Sequence, residues 1–275
     1  MPYFMCATCG SQFAATTAEP DACRICEDER QYVPTGGQKW TTLEELQTTH
    51  TNRIEEVEPG LVGIGTEPSF AIGQRALLIQ SPGGNVLWDC VSLVDAATVT
   101  AVNALGGIDA IAISHPHYYS SMVEWSRAFD APIYLHVADR EWVMRPDAAV
   151  HYWEGETHTL GKGMTLVRAG GHFPGGTILH WSSGAGGRGA ILSGDIIMVV
   201  PDTGWVSFMY SYPNLIPLPV EEVQRVTASI EPYEFECIYG AWWDRVLYSD
   251  GKAAVARSAQ RYADVIDGRG DRRFR

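Results

Sequence analysis

Two histidines separated by one proline, His115-Pro116-His117, directly follow the apolar run IDAIAIS. If that run is a buried strand leading into an extended turn, residues i and i+2 point the same way. Two imidazoles then converge on one ion, and Pro116 stiffens the link between them. His172 in RAGGHFPGG and Asp195 in AILSGDIIM share this setting, each just past an apolar run. Ligand-carrying loops gather where a rigid scaffold ends. Three neutral imidazoles and one carboxylate make a zinc site, and the same set suits iron or manganese. Each histidine alone is equally compatible with an ordinary loop residue, and spacing does not choose.

A second constellation lies near the start. Cys6-Ala-Thr-Cys9 and Cys23-Arg-Ile-Cys26 are two CxxC pairs with 13 residues between them. Each pair can form a knuckle aiming two thiolates at one ion, and two knuckles complete a tetrahedral site. With all four positions filled by protein, the site is closed and structural. Zinc is expected there, with iron the alternative of a rubredoxin-like centre. The segment has few apolar residues, so bound metal would supply much of its folding free energy. Cys90 and Cys237 fall inside apolar runs and are expected to be buried core thiols.

The elements that must hold these residues are legible in outline. A short helix is expected near 42–49, with Thr42 and Glu45 at capping-box spacing. From Leu61 come short β-type runs: LVGIGT, FAIG, RALLIQS and NVLWDCVS, with a hairpin turn at Gly83-Gly84. DAATVTAVNAL and MVEWSRAF read as helices, the second with Ser121 and Glu124 as a capping box. PIYLH is a strand and ADREWVM a helix. TLVRA, TILHWSS and GAILSGDIIMVV return to β. Helices follow Pro219 and Asp250, with strand ECIYG between them. Strands first and then helices, repeated weakly in two halves, suits an α/β fold: a four-layer αββα sandwich. The expected organisation is a four-cysteine module over 1–37, the main domain over 38–267, and a flexible tail over 268–275.

Composition bounds the function. A content of 45% hydrophobic and 19% charged residues supports a real core. A net charge of −13 argues against nucleic acid and anionic membranes as partners. No apolar run approaches the roughly 20 residues of a membrane helix, and MPYFMCATCG lacks the pattern of a secretory signal. A cytoplasmic protein acting on a small molecule is expected. The cysteine module would either cap the active site or join a homodimer.

SHPHYYS, GGHFPGG and LSGD resemble the metal motifs of the metallo-β-lactamase superfamily, in the family's order, and the resemblance spans roughly residues 60–265. It implies that His115, His117 and His172 form a first metal site and that Asp195 is the shared carboxylate ligand. It also exposes departures. The aspartate of the family's HxHxDH loop is Tyr119 here, and its last histidine is Ser120. Near the family's late histidine this chain has Ala241, Trp242 and Trp243. The dedicated ligands of a second ion are missing, so one zinc, iron or manganese ion is expected in this pocket.

A single open-sided ion still supports hydrolysis. Asp195 would ligate it or accept a proton from water. Tyr118 or Tyr119 would donate to a developing oxyanion; the alternative for Tyr119 is simple space filling. The aromatic stretch holding Trp205, Phe208 and Tyr210, with Trp242 and Trp243 opposite, would line a substrate pocket or serve as core. The leading expectation is a hydrolase of glyoxalase II-like or lactonase-like type, acting on an ester, thioester or lactone. A non-catalytic metal- or ligand-binding protein is the alternative, and an iron redox protein the third reading.

Overall fold

Short apolar runs punctuated by turns assemble into two separate sheets. The computed structural model describes residues 1–161 and 163–269, and the chain divides into two units, Met1–Glu154 and Gly155–Arg275.

Among the described residues, the first unit's main sheet has seven strands in chain order: Thr51–Glu58, Leu61–Glu67, Arg75–Ile79, Val86–Trp88, Ala110–Ala112, Ile133–His136 and Val150–Trp153. The first four pair antiparallel. The last three join in parallel, which requires crossovers. Helices Ala96–Ala104 and Met122–Phe129 supply two of them.

Local signals mostly hold. Helix Leu43–Thr49 starts on Thr42 with both capping-box bonds to Glu45 formed. Three expectations need correction. FAIG is a turn, because Ala71 and Gly73 have φ of 52° and 74°, which no ladder accepts. Helix Met122–Phe129 has no capping box; Ser121 Oγ instead donates to the carbonyls of Ser92 at 2.8 Å and Val91 at 3.2 Å. ADREWVM forms a 3-10 helix over Val137–Trp142 rather than an α-helix.

The cysteine segment belongs to the first unit. Met5–Cys6 pairs antiparallel with Trp40–Thr41, and Met5 packs in a buried cluster with Leu46 and Leu93. The Arg24 and Arg30 guanidinium carbons lie 4.9 and 5.1 Å from the Trp142 ring centroid. Arg24 also pairs with Glu141 at 2.5 Å.

The second unit's main sheet has six strands among the described residues. Thr157–Gly161, Met164–Arg168, Thr177–Trp181 and Ala190–Gly194 run antiparallel in order. Helix Val220–Ile230 then crosses over to Cys237–Gly240, parallel to Ala190–Gly194, and Val246–Leu247 closes the edge. Helix Gly251–Ile266 follows. Val223, Val226 and Ile230 of the first helix and Ala254 and Val255 of the second bury against Val167, Ile178, Ile191 and Ile238 of the sheet. No helix among the described residues is long and apolar enough to cross a membrane. From residue 270 onward, the tail expected over 268–275 lies outside the described residues.

Phe208 is wholly buried in this core and meets Tyr262 edge-on at 6.0 Å. Phe208→Ala is therefore expected to cost about 3–5 kcal/mol in chemical denaturation. A loss under about 1 kcal/mol would remove the ring from the core.

Candidate metal centre

The four N-terminal cysteines are buried, and one sulfur from each lies within 4.8 Å of the others. Cys6 and Cys26 Sγ are 3.5 Å apart, and Cys9 and Cys23 Sγ are 3.6 Å apart. A tetrahedral Zn–S distance of about 2.3 Å places sulfurs about 3.8 Å from each other, whereas a disulfide needs about 2.05 Å. The spacing fits an S₄ site. The knuckle is built as such a site requires: the amides of Thr8 and Cys9 donate to Cys6 Sγ at 3.4 Å, and Gln38 Nε2 donates at 2.9 Å. Hydrogen bonds from the thiols of Cys23, Cys26 and Cys9 hold Cys6 far below the ordinary thiol range. The same sharing, led by Cys23, raises Cys9 and Cys26. A cation removes the conflict by stabilising all four thiolates. Cys90 and Cys237 are buried and are not part of this four-cysteine group. Burial, with Asp89 nearby, pushes the Cys90 thiol up.

The histidine pair is presented by a tighter loop than an extended turn. His115 is extended, with φ −169° and ψ 171°, but Pro116–Tyr118 form a 3-10 turn in which Tyr118 N–H donates to the His115 carbonyl at 3.1 Å. The rings of His115 and His117 still approach to 5.1 Å, edge to face. Ser114 orients the first ring: its N–H donates to Asp89 Oδ1 at 2.7 Å, and its hydroxyl lies 2.9 Å from His115 Nδ1. With Nδ1 engaged, Nε2 is the His115 atom for an ion. Asp89 escaped the sequence reading because it belongs to no ligand motif, and Ser114, though it opens SHPHYYS, has no ligand role in that motif.

In the second unit, His172 sits in a closed glycine loop. The amides of Ala169 and Gly170 both donate to the Gly176 carbonyl at 2.8 Å. A Cβ at Gly176 would lie 2.4 Å from the Gly170 carbonyl oxygen, so no larger residue closes this turn. His172 is buried, with the Phe173 ring at 5.2 Å and the Tyr212 ring at 5.8 Å. Asp195 follows strand Ala190–Gly194, and Tyr212 Oη donates to its backbone carbonyl at 2.8 Å. Burial, with Asp195 close by, raises the Tyr212 phenol well above its usual value, so it stays protonated.

His115 and His117 of the first unit and His172 of the second are buried ligand candidates, each with a ring nitrogen to offer a metal ion, and Asp195 is not grouped with them. Residues 71–249 match the family model of the metallo-β-lactamase superfamily. The chain belongs to that superfamily. It is 52% identical over 269 residues, 97% of this chain and 98% of the relative, to "Uncharacterized protein YmaE" of Bacillus subtilis (strain 168). Among solved structures it resembles DIM-1 metallo-β-lactamase, with a TM-score of 0.59 and 14% identity over 78% of this chain and 98% of that one. A metallo-β-lactamase from Cronobacter sakazakii (Enterobacter sakazakii) gives a TM-score of 0.50 at 19% identity over 78% and 93%. The mixed α/β metallo-β-lactamase sandwich expected from the sequence is thus the fold of this chain, with a small cysteine-bearing segment ahead of it.

The metallo-β-lactamase frame locates the departures. Gly194 registers with Gly240, and Ala241 N–H donates to the Gly194 carbonyl at 3.1 Å. Ala241, with its methyl side chain, therefore stands beside the Asp195 strand end. Tyr119 lines a cavity of about 10 Å³ with Ser11, Gln12, Trp142 and Arg145. Trp242 and Trp243 line one of about 390 Å³ with Met198, Asp244 and Arg245. Trp205 lies under Arg261, whose guanidinium carbon is 3.5 Å from the ring centroid, and half-buried Tyr210 packs on the core. His136 caps the next turn through Ala138 N–H at 3.2 Å, and His180 bonds the Glu234 carbonyl at 2.9 Å; both are structural.

Elemental analysis of the purified protein is expected to give two ions per chain. The pair His115→Ala/His117→Ala should retain one, and Cys9→Ser/Cys26→Ser should lose the other. A third ion would mean that a second pocket ligand set exists.

Proposed function

We propose that this protein is a cytoplasmic metal-dependent hydrolase with a single pocket ion, of glyoxalase II-like or lactonase-like type, acting on an ester, thioester or lactone. The observation that carries this reading is the buried His115/His117 pair, its rings 5.1 Å apart, with His172 at the third position of the family pattern, in a superfamily whose members are mostly hydrolases. When bound, the ion would bring the pKa of a water near 7 and polarise a carbonyl oxygen. Zinc fits the imidazole set best, with iron and manganese as alternatives.

The chain's own groups divide the remaining work. His115, His117 and His172 hold the ion. Asp195, outside the three-histidine group, is assigned to accept the proton of the attacking water. Tyr118, whose ring lies 4.4 Å from that of His115, is the better candidate than Tyr119 for donating to the oxyanion. Trp242 and Trp243 supply an apolar wall, and the net charge of −13 opposes a phosphodiester or polyanionic substrate. A small neutral acyl compound fits both features.

One observation favours a second reading. Tyr119, Ser120 and Ala241 replace the ligands of a second ion, which would leave a protein that binds metal without turnover. A panel of aryl esters, thioesters, lactones and β-lactams separates the two. Hydrolysis is expected, abolished in His117→Ala with the fold retained, and reduced about 10²- to 10⁴-fold in kcat in Asp195→Asn. No turnover across the panel by fully loaded protein would decide for the binding reading.

A further inference from the structure

The cysteine cluster and the histidine loop are joined by a short, fully bonded brace. Gly10 directly follows Cys9 and has φ +80°. Its N–H donates to the Cys6 carbonyl at 2.8 Å, closing the knuckle. Its own carbonyl accepts from Ser92 Oγ at 3.0 Å. A Cβ here would sit 2.5 Å from Ser92 Oγ and 3.8 Å from Ser120 Oγ, so the knuckle backbone lies directly on these serines. Two residues on, Gln12 N–H donates to the Ser120 carbonyl at 3.0 Å. Gln12 lies three positions after Cys9, and Ser120 three positions after His117.

Ser120 is where this brace matters. Its φ is +44°, a left-handed backbone that is unfavourable for a non-glycine residue and persists only when its surroundings over-determine it. Three contacts do so. Ser120 Oγ donates to the Cys90 carbonyl at 3.2 Å, Gln74 Nε2 donates to Ser120 Oγ at 3.1 Å, and Gln12 takes its carbonyl. The reversal at Ser120 turns the histidine loop into helix Met122–Phe129. The same segment is strapped on its other side. Arg145 Nη1 donates to Gln12 Oε1 and, at 2.5 Å, to Glu124 Oε1 of that helix, and Ala14 N–H donates to the Met144 carbonyl at 3.0 Å.

The geometry points to a coupling of the two metal sites. The cysteine-held ion is a positioning element for the His115–Ser121 loop, acting through Gly10, Ser92, Gln12 and Ser120. Without that ion, nothing compensates for burying four thiols in a segment poor in apolar residues, and residues 6–12 lose the geometry that closes the brace. The pocket then binds its own ion more weakly, and the coupling is reciprocal. This inference rests on the metal reading proposed above.

Cobalt-substituted protein reports both sites in one spectrum, because thiolate-to-cobalt charge transfer marks the S₄ site and weaker ligand-field bands mark the histidine site. Chelator competition gives the histidine-site affinity for cobalt in the wild type, in Cys9→Ser/Cys26→Ser and in Ser92→Ala. Contacts that orient a ligand from one shell out are typically worth 10- to 100-fold in metal affinity. The cysteine variant should lose the charge-transfer band and weaken the histidine site by about that factor. Ser92→Ala keeps all four cysteines; it should keep the band and still weaken the histidine site about 10-fold. In the wild type, filling the histidine site should slow chelator removal of cobalt from the sulfur site. Wild-type histidine-site affinity in Ser92→Ala would overturn the coupling, whatever the cysteine variant does. A second ion insensitive to His115→Ala/His117→Ala would overturn the metal reading and the coupling together.

Discussion

Imidazoles and thiols buried in a protein interior must be bound to something, and that requirement organises this molecule. A buried polar group without a partner costs on the order of 1–3 kcal/mol. His115, His117 and His172 are 1–3% exposed, and the four N-terminal cysteines are 0–1% exposed. The four thiols bond one another in pairs, Cys6 with Cys26 and Cys9 with Cys23. A cation satisfies all four together, and the adjoining His115 and His117 rings can likewise share one. The fold supplies strand ends and tight glycine loops that hold these side chains close before any ion arrives.

Preparing such a loop has its own cost, and it is met locally. Backbone at the end of the short strand Ala110–Ala112 must leave the sheet, turn twice within the nine residues 113–121 and enter a helix. Its polar groups are bonded one by one. Asp89 takes the Ser114 amide, Ser114 takes the His115 ring, and Ser121 Oγ returns to the Ser92 and Val91 carbonyls. Trp125 Nε1 donates to the same Val91 carbonyl at 2.8 Å. The segment Cys90–Val91–Ser92 thus serves as an anchor line for the ligand loop, and the cysteine knuckle rests on its far end at Ser92.

The candidate ligands were legible because their motifs are local: two CxxC pairs stand out by themselves, whereas HPH, GGH and SGD needed the family resemblance to single them out, and the alternation of strands and helices suited the sandwich fold. What could not be read was long-range. Strand Thr51–Glu58 begins the first sheet, yet its sequence TNRIEEVE is charged and partly exposed, as an edge strand's is, so it lacks the apolar run that marks its neighbours. Ser121 carries the spacing of a capping box, but two carbonyls 29 and 30 residues away claim its hydroxyl. Phe208 and Trp242 are both aromatic residues near the site motifs, and only packing assigns one to the core and the other to a cavity wall. The brace through Gly10, Gln12 and Ser120 is carried mainly by backbone groups, which leave no trace in residue type.

The same bonding pattern bears on how many ions the pocket takes. In the superfamily's HxHxDH loop the last two residues are ligands; here they are Tyr119 and Ser120. Burial, reinforced by Asp139 and Tyr152, raises the Tyr119 phenol well above its usual range. Its ring lines a cavity with Ser11, Gln12 and Trp142 of its own unit, toward the cysteine segment. Ser120 is no better placed, because its hydroxyl is committed to the Cys90 carbonyl and to Gln74. Ala241, with only a methyl group, stands at the strand end beside Asp195. On the single-ion reading proposed above, Ser120 instead ties the ligand loop to the cysteine segment through Gln12, and Tyr119 lines the cavity between them. A chain that exchanged a second ion for this brace would depend on the cysteine-held ion to keep the first in place, which is why the two departures from the family pattern belong to one argument.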